Sequence, residues 1–88
     1  MSTRTEEIQE MMYKAADAGD CDAIRRLASL GASVDTPHNT GVTPMWIAAQ
    51  EGHVEAIRAL ASLGASVLTP DNTGITPLWI AAHEGHVE

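Results

Sequence analysis

TPHNTGVTPMWIAAQEGHVE, residues 36 to 55, and TPDNTGITPLWIAAHEGHVE, residues 69 to 88, are near-copies offset by 33 residues. They differ only at His38/Asp71, Val42/Ile75, Met45/Leu78 and Gln50/His83. Upstream, AADAGDCDAIRRLASLGASV from Ala15 to Val34 aligns at the same offset with AAQEGHVEAIRALASLGASV from Ala48 to Val67. Self-similarity at a short fixed period predicts a stack of like units, each able to cover its apolar face only against a neighbour.

Each unit spells two short helices and a connecting finger. Thr43-Pro44 and Thr76-Pro77 read as helix starts, because a Thr hydroxyl satisfies free backbone N–H groups while Pro at the first helical position has none to leave unpaired. MWIAAQE and LWIAAHE follow as a first helix, broken by Gly52 and Gly85. A second helix is expected from near His53, with Val54, Ile57, Leu60 and Ala61 on its buried face. Gly31 and Gly64 stand where a left-handed helix end is expected. The Pro-, Asn- and Thr-rich stretches 32–43 and 65–76 then read as extended loops with a tight turn at Asn-Thr-Gly.

These residues resemble the ankyrin repeats, whose pattern runs D-x-x-G-x-T-P-L-H-x-A-A-x-x-G-H-x-E, then a leucine-rich helix and G-A-D. Asp71, Gly74, Thr76, Pro77, Leu78, Ala81, Ala82, Gly85, His86 and Glu88 match in register. Gly41, Thr43, Pro44, Ala48, Ala49, Gly52, His53 and Glu55 do so one unit earlier. The resemblance covers the chain from about Met11 onward and implies an all-α ankyrin-repeat solenoid of stacked helix-turn-helix units with hairpin-like finger loops, about two and a half repeats long. One domain over 1–88 is expected, made of a capping unit 1–35, a full unit 36–68 and a partial unit 69–88. His86 would cap the second helix of its unit, as the family His does. The family's His after Thr-Pro-Leu is replaced by Trp46 and Trp79, and bulky residues of the second helix by Ala56, Ala59 and Ala61. The indoles are expected to fill the volume those alanines leave open, which makes Trp46, Leu60 and Trp79 core residues.

The two ends read differently. The first helix is expected over about Thr5 to Asp17, capped by Thr3 or Thr5, with Glu6 and Glu7 in its first turn and Ile8, Met11, Met12, Ala15 and Ala16 as its buried stripe. Lys14 stands where later units have Ile47 and Ile80, and Tyr13 where they have Trp, so the first unit reads as a polar cap. Beyond Trp79 and Ile80 no second cap is seen. Those two residues are therefore expected to drive self-association at an open C-terminal end.

Composition narrows the partners. With 12 Asp and Glu against 5 Lys and Arg, the net charge of −7 argues against nucleic acid or an anionic membrane and favours a protein partner with a basic patch. Cys21 is the only cysteine. No disulfide can form within the chain, and an intracellular setting is expected, cytoplasmic in preference to nuclear. No apolar run approaches the roughly 20 residues that cross a bilayer.

Signals for catalysis are weak. His83-Glu84-Gly85-His86 places its histidines three apart across a glycine, unlike the i, i+4 pair of a zinc-protease helix. His38, His53 and His83 belong to different units, so no metal site is expected. Cys21 occupies the slot of Val54 and reads as a small apolar residue. Arg25, Arg26 and Arg58 are expected to pair with Asp22 or Glu55 on exposed helix faces. No catalytic residue and no cofactor is expected, and the function implied is protein binding along a concave face of finger tips and first helices. By position the contacts would be Asn39, Thr40, Val42, Gln50 and Glu51, then Asn72, Thr73, Ile75, His83 and Glu84, with Asp17 and Ala18 extending the strip. These are loop or helix-end positions that the repeat core does not need, so a partner can contact the side chains there. The recurrence of the same finger residues in both units favours the alternative of a self-assembling scaffold.

Overall fold

A computed structural model of the chain describes residues 4–84, in which five α-helices run in order: α1 Arg4–Ala18, α2 Cys21–Ser29, α3 Pro44–Glu51, α4 Val54–Ser62 and α5 Pro77–His83. Thr43 and Thr76 cap α3 and α5, each hydroxyl oxygen accepting from the N–H of the Trp three residues on at 3.1 Å. Asp20 does the same for α2, accepting from Ala23. Thr5 lies inside α1 and does not cap it, and Thr3 lies outside the described residues.

The helices end as their glycines predict. After α2 the N–H of Gly31 donates to Ala28 and that of Ala32 to Leu27, and after α4 Gly64 and Ala65 repeat the pattern on Ala61 and Leu60. This paired closure turns the chain out of each helix pair and into a finger.

Stacking follows chain order. α1 packs on α2 and α3, α3 on α4 and α5, and α2 on α4, so each pair touches only its neighbour. The main core joins Met12, Ala16 and Ile24 of the first pair to Met45, Ala48, Ala56 and Leu60 of the second. Each large side chain there contributes about 1.5–3 kcal/mol by leaving water. A smaller cluster, Ala49, Ile80 and Ala81 with Trp46, Ile57 and Ile75 at its edge, seats α5.

Three packing expectations need correction. Met11 is 54% exposed, and the stripe of α1 centres on Met12, Ala15 and Ala16 with Ile8 at its margin. On α4, Val54 and Ala61 are exposed and Ile57 is only half-buried, the buried face being Ala56, Ala59 and Leu60. The repeat supplies the reason: Ile24, one period before Ile57, is fully buried in the core that α2 shares with α4, and no described helix lies over Ile57 in the same way. Finally, Trp46 packs at the edge of the smaller cluster, whereas Ala56 belongs to the main core. Trp79 is 49% exposed and is no core residue.

Candidate binding surface

Two finger turns rise beside the first helices. In the first, Gly41 N–H donates to the His38 carbonyl and His38 N–H to that of Val42, both at 2.8 Å. Gly74, Asp71 and Ile75 repeat the arrangement. It is a type I turn closed by a left-handed glycine, the Asn-Thr-Gly turn read from the sequence.

One of the few differences between units decides how each finger is held. The Asp71 carboxylate accepts from the Thr73 hydroxyl at 2.7 Å, the Thr73 N–H at 2.8 Å and the Ile75 N–H at 3.0 Å. The Thr73 hydroxyl bond is the largest effect and holds this carboxyl below the usual Asp range; desolvation opposes it, and the individually smaller backbone hydrogen bonds add to the lowering. His38 at the same place in the first finger turns to α1, its ring edge-on to Tyr13 at 4.8 Å and its Nε2 3.2 Å from Glu10 Oε1. The fingers are also tied to each other, since Asn72 N–H donates to Thr40 and Asn72 Nδ2 to Asn39, at 3.1 and 3.3 Å.

Beneath the first finger, between α1 and α3, runs an open groove of about 520 Å³. Its floor is Tyr13, Val42, Trp46 and Ile47, and its rim Lys14, Asp17, Thr40 and Gln50. Tyr13 is fixed by a 2.8 Å bond from its hydroxyl to the Thr36 carbonyl, and burial pushes its phenol pKa up. Trp46 is fixed by a 3.2 Å bond from Nε1 to the Ile75 carbonyl, which ties the second pair to the next finger. Both rings therefore hold set orientations, Tyr13 buried beneath the groove and Trp46 half-buried on its floor. His53 sits at the start of α4 without a side-chain cap bond; its Nε2 lies 2.8 Å from the Asp17 carbonyl and joins the two pairs. The capping role expected of His86 falls outside the described residues.

Of the residues expected on the strip, the groove gathers Thr40, Val42, Gln50 and Asp17. Asn39 lines a separate acidic groove with Glu6, Glu7 and Glu10, and Ala18 faces a third groove formed with α2. Asn72 and Thr73 are exposed but engaged in the finger bonds, and Ile75 is half-buried in the smaller cluster. Glu51, His83 and Glu84 are exposed and line no groove with them. Ile80 is buried, so of the pair expected to self-associate only Trp79 reaches the surface, stacked on His83 at 4.5 Å. Tyr13, Lys14, Trp46 and Ile47 were missed as groove residues. Their signal was present, since the period sets Tyr13, Trp46 and Trp79 in one column, but an aromatic at helical spacing reads first as core. On α-helix faces, Arg58 pairs with Glu55 at 2.8 Å, whereas Arg25, Arg26 and Asp22 form no ion pair among the described residues.

Nearest-neighbour helix pairs with projecting fingers define a helical-repeat scaffold. The family model of ankyrin repeats in three copies matches residues 11–88, and the chain belongs to that family. No curated protein matches the chain at a significant level. Ankyrin repeats are generally non-catalytic protein-interaction modules. Among the described residues no helix is long and apolar enough to cross a membrane.

Proposed function

We propose that this chain is a non-catalytic binding module that holds a protein partner along the concave face of its finger tips and first helices, with the groove under the first finger as the anchor point. The observation that carries the reading is the apolar floor on which Val42, Trp46 and Ile47 are half-exposed over the buried Tyr13, with both rings held by hydrogen bonds. Fixed aromatic rings lose little entropy on binding and are the common anchors of interfaces. Asp17 at the rim, Glu51 and Glu84 along the strip and a net charge of −7 favour a partner segment that brings basic residues beside an apolar anchor. The reading needs no metal or cofactor, uses neither nucleic acid nor membrane, and suits an intracellular, cytoplasmic setting.

The test is selection of peptide ligands against the chain, followed by affinity measurement on Thr40→Arg and Gln50→Arg. Both sites are exposed, so the fold should survive. Selected ligands should lose about tenfold or more in affinity, the equivalent of roughly 1.4 kcal/mol. Ligands that bind both variants unchanged would place recognition elsewhere.

A second reading is self-association at the C-terminal side, favoured by the exposure of Leu68, Leu78 and Trp79. It predicts a dilution-sensitive oligomer that Trp79→Lys abolishes.

A further inference from the structure

The face of the first pair that points away from the stack carries a row of residues of which the concave-face reading uses only Lys14 and Ala18. Arg4, Glu7, Met11, Lys14 and Ala18 follow one another along α1 at steps of three, four, three and four, which sets them on one side of the helix. Two open grooves, of about 450 and 410 Å³, meet there over Met11, Leu27 and Leu30. Met11 and Leu30 are each 54% exposed.

The repeat indicates what such a face is shaped to receive. One period on, Met11, Ala15, Ala23 and Leu27 become Pro44, Ala48, Ala56 and Leu60, all buried where the second pair meets the helices of the first. The surface is thus a helix-accepting one. It departs from its later copy in charged residues that stand for apolar ones, Arg4 for Pro37, Lys14 for Ile47 and Arg26 for Ala59.

We propose that this face binds a second copy of the chain, the two α1 helices crossing antiparallel about a two-fold axis at Met11. The charges along the row are self-complementary only in that arrangement. Glu7 precedes Met11 by four residues and Lys14 follows it by three, so at a rise of about 1.5 Å per residue they stand about 6 and 4.5 Å from the axis on opposite sides. The two-fold then sets Glu7 against the partner's Lys14 and Lys14 against the partner's Glu7, with Met11 on the partner's Met11 between them. Arg4 falls opposite the partner's Ala18, beside the partner's Asp20 on the groove wall. A parallel pairing would oppose like charges. An unrelated helix of uniform charge would meet either Glu7 or Lys14 with the wrong sign. A self-complementary patch that exchanges i-to-j for j-to-i contacts is what a two-fold dimer requires.

The experiment is sedimentation equilibrium over a dilution series of the full chain, with circular dichroism to verify folding. Glu7, Met11 and Lys14 are exposed, so substitutions there leave the core intact. Wild type should show a concentration-dependent dimer. Met11→Glu, Glu7→Lys and Lys14→Glu should each weaken it about tenfold or more. The double variant Glu7→Lys with Lys14→Glu should restore it, because the swap rebuilds both ion pairs. Trp79→Lys should leave it unchanged. A wild-type chain that stays monomeric at the highest attainable concentration overturns the proposal. So does a dimer that tolerates Met11→Glu but is lost in Trp79→Lys, or a double variant no better than its parents.

Discussion

Replacing Gly41 and, separately, Gly74 by alanine isolates the strength of the finger-to-finger contact. The two glycines share the same turn position and nearly the same backbone, φ +84° and +88°. A left-handed alanine costs about 1–2 kcal/mol at either site. At Gly74 nothing among the described residues lies within 4 Å of the new methyl group, so that is the whole expected loss. At Gly41 the methyl would stand 2.5 Å from the Asn72 backbone nitrogen, inside any real contact distance, and the second finger must move. Movement forfeits the bonds from Asn72 to Thr40 and Asn39, each worth about 1 kcal/mol, so Gly41→Ala should cost about 3–4 kcal/mol in total. For a domain of this size that corresponds to a fall in melting temperature of roughly 15–25 °C, against roughly 5–10 °C for Gly74→Ala. Urea unfolding followed by circular dichroism gives both losses. Equal losses at the two sites would refute the reasoning, since only the contact with Asn72 distinguishes them.

Other consequences can be measured in the same way. Ile24→Ala should cost about 3 kcal/mol and Ile57→Ala roughly half that or less, because only the first is sealed in the core; equal losses would contradict the burial difference. Since the Asp71 carboxyl is held below its ordinary value of 3.8, its folded pKa is the lower one, so its contribution is present above 3.8 and is lost as the pH falls through the folded value. The stability gap between wild type and Asp71→Asn should therefore be flat near neutrality and close at acid pH in urea titrations; a gap that stays open there would mean the charge is not what holds the finger. His53→Ala should cost about 1 kcal/mol by removing the bond to the Asp17 carbonyl, and amide exchange should report the loosened junction between α1 and α4. An unchanged exchange rate there would show that the bond does not join the pairs.

Sequence alone determined whatever depends on residues a few places apart. The Thr-Pro starts of α3 and α5, the glycine closures after α2 and α4 and the turn at Asn-Thr-Gly are hydrogen-bonded within one to five residues, and the period of 33 repeats each of them. Stacking followed as well, because a short amphipathic pair has no other way to cover its apolar side. Only the tertiary structure decided which copy of a residue is covered. Ile24 and Ile57 are the same residue in near-identical helices, yet one is sealed and the other half-open, because burial belongs to what lies across the interface. Met11 and Trp79 moved from expected core to surface for that reason, and Ile80 moved the other way. Trp46 became groove floor because its indole bonds to Ile75 in the next finger, 29 residues away, beyond the reach of any local pattern. The groove is formed where two units meet, and a side chain joins it only through the neighbour that shapes the opposite wall.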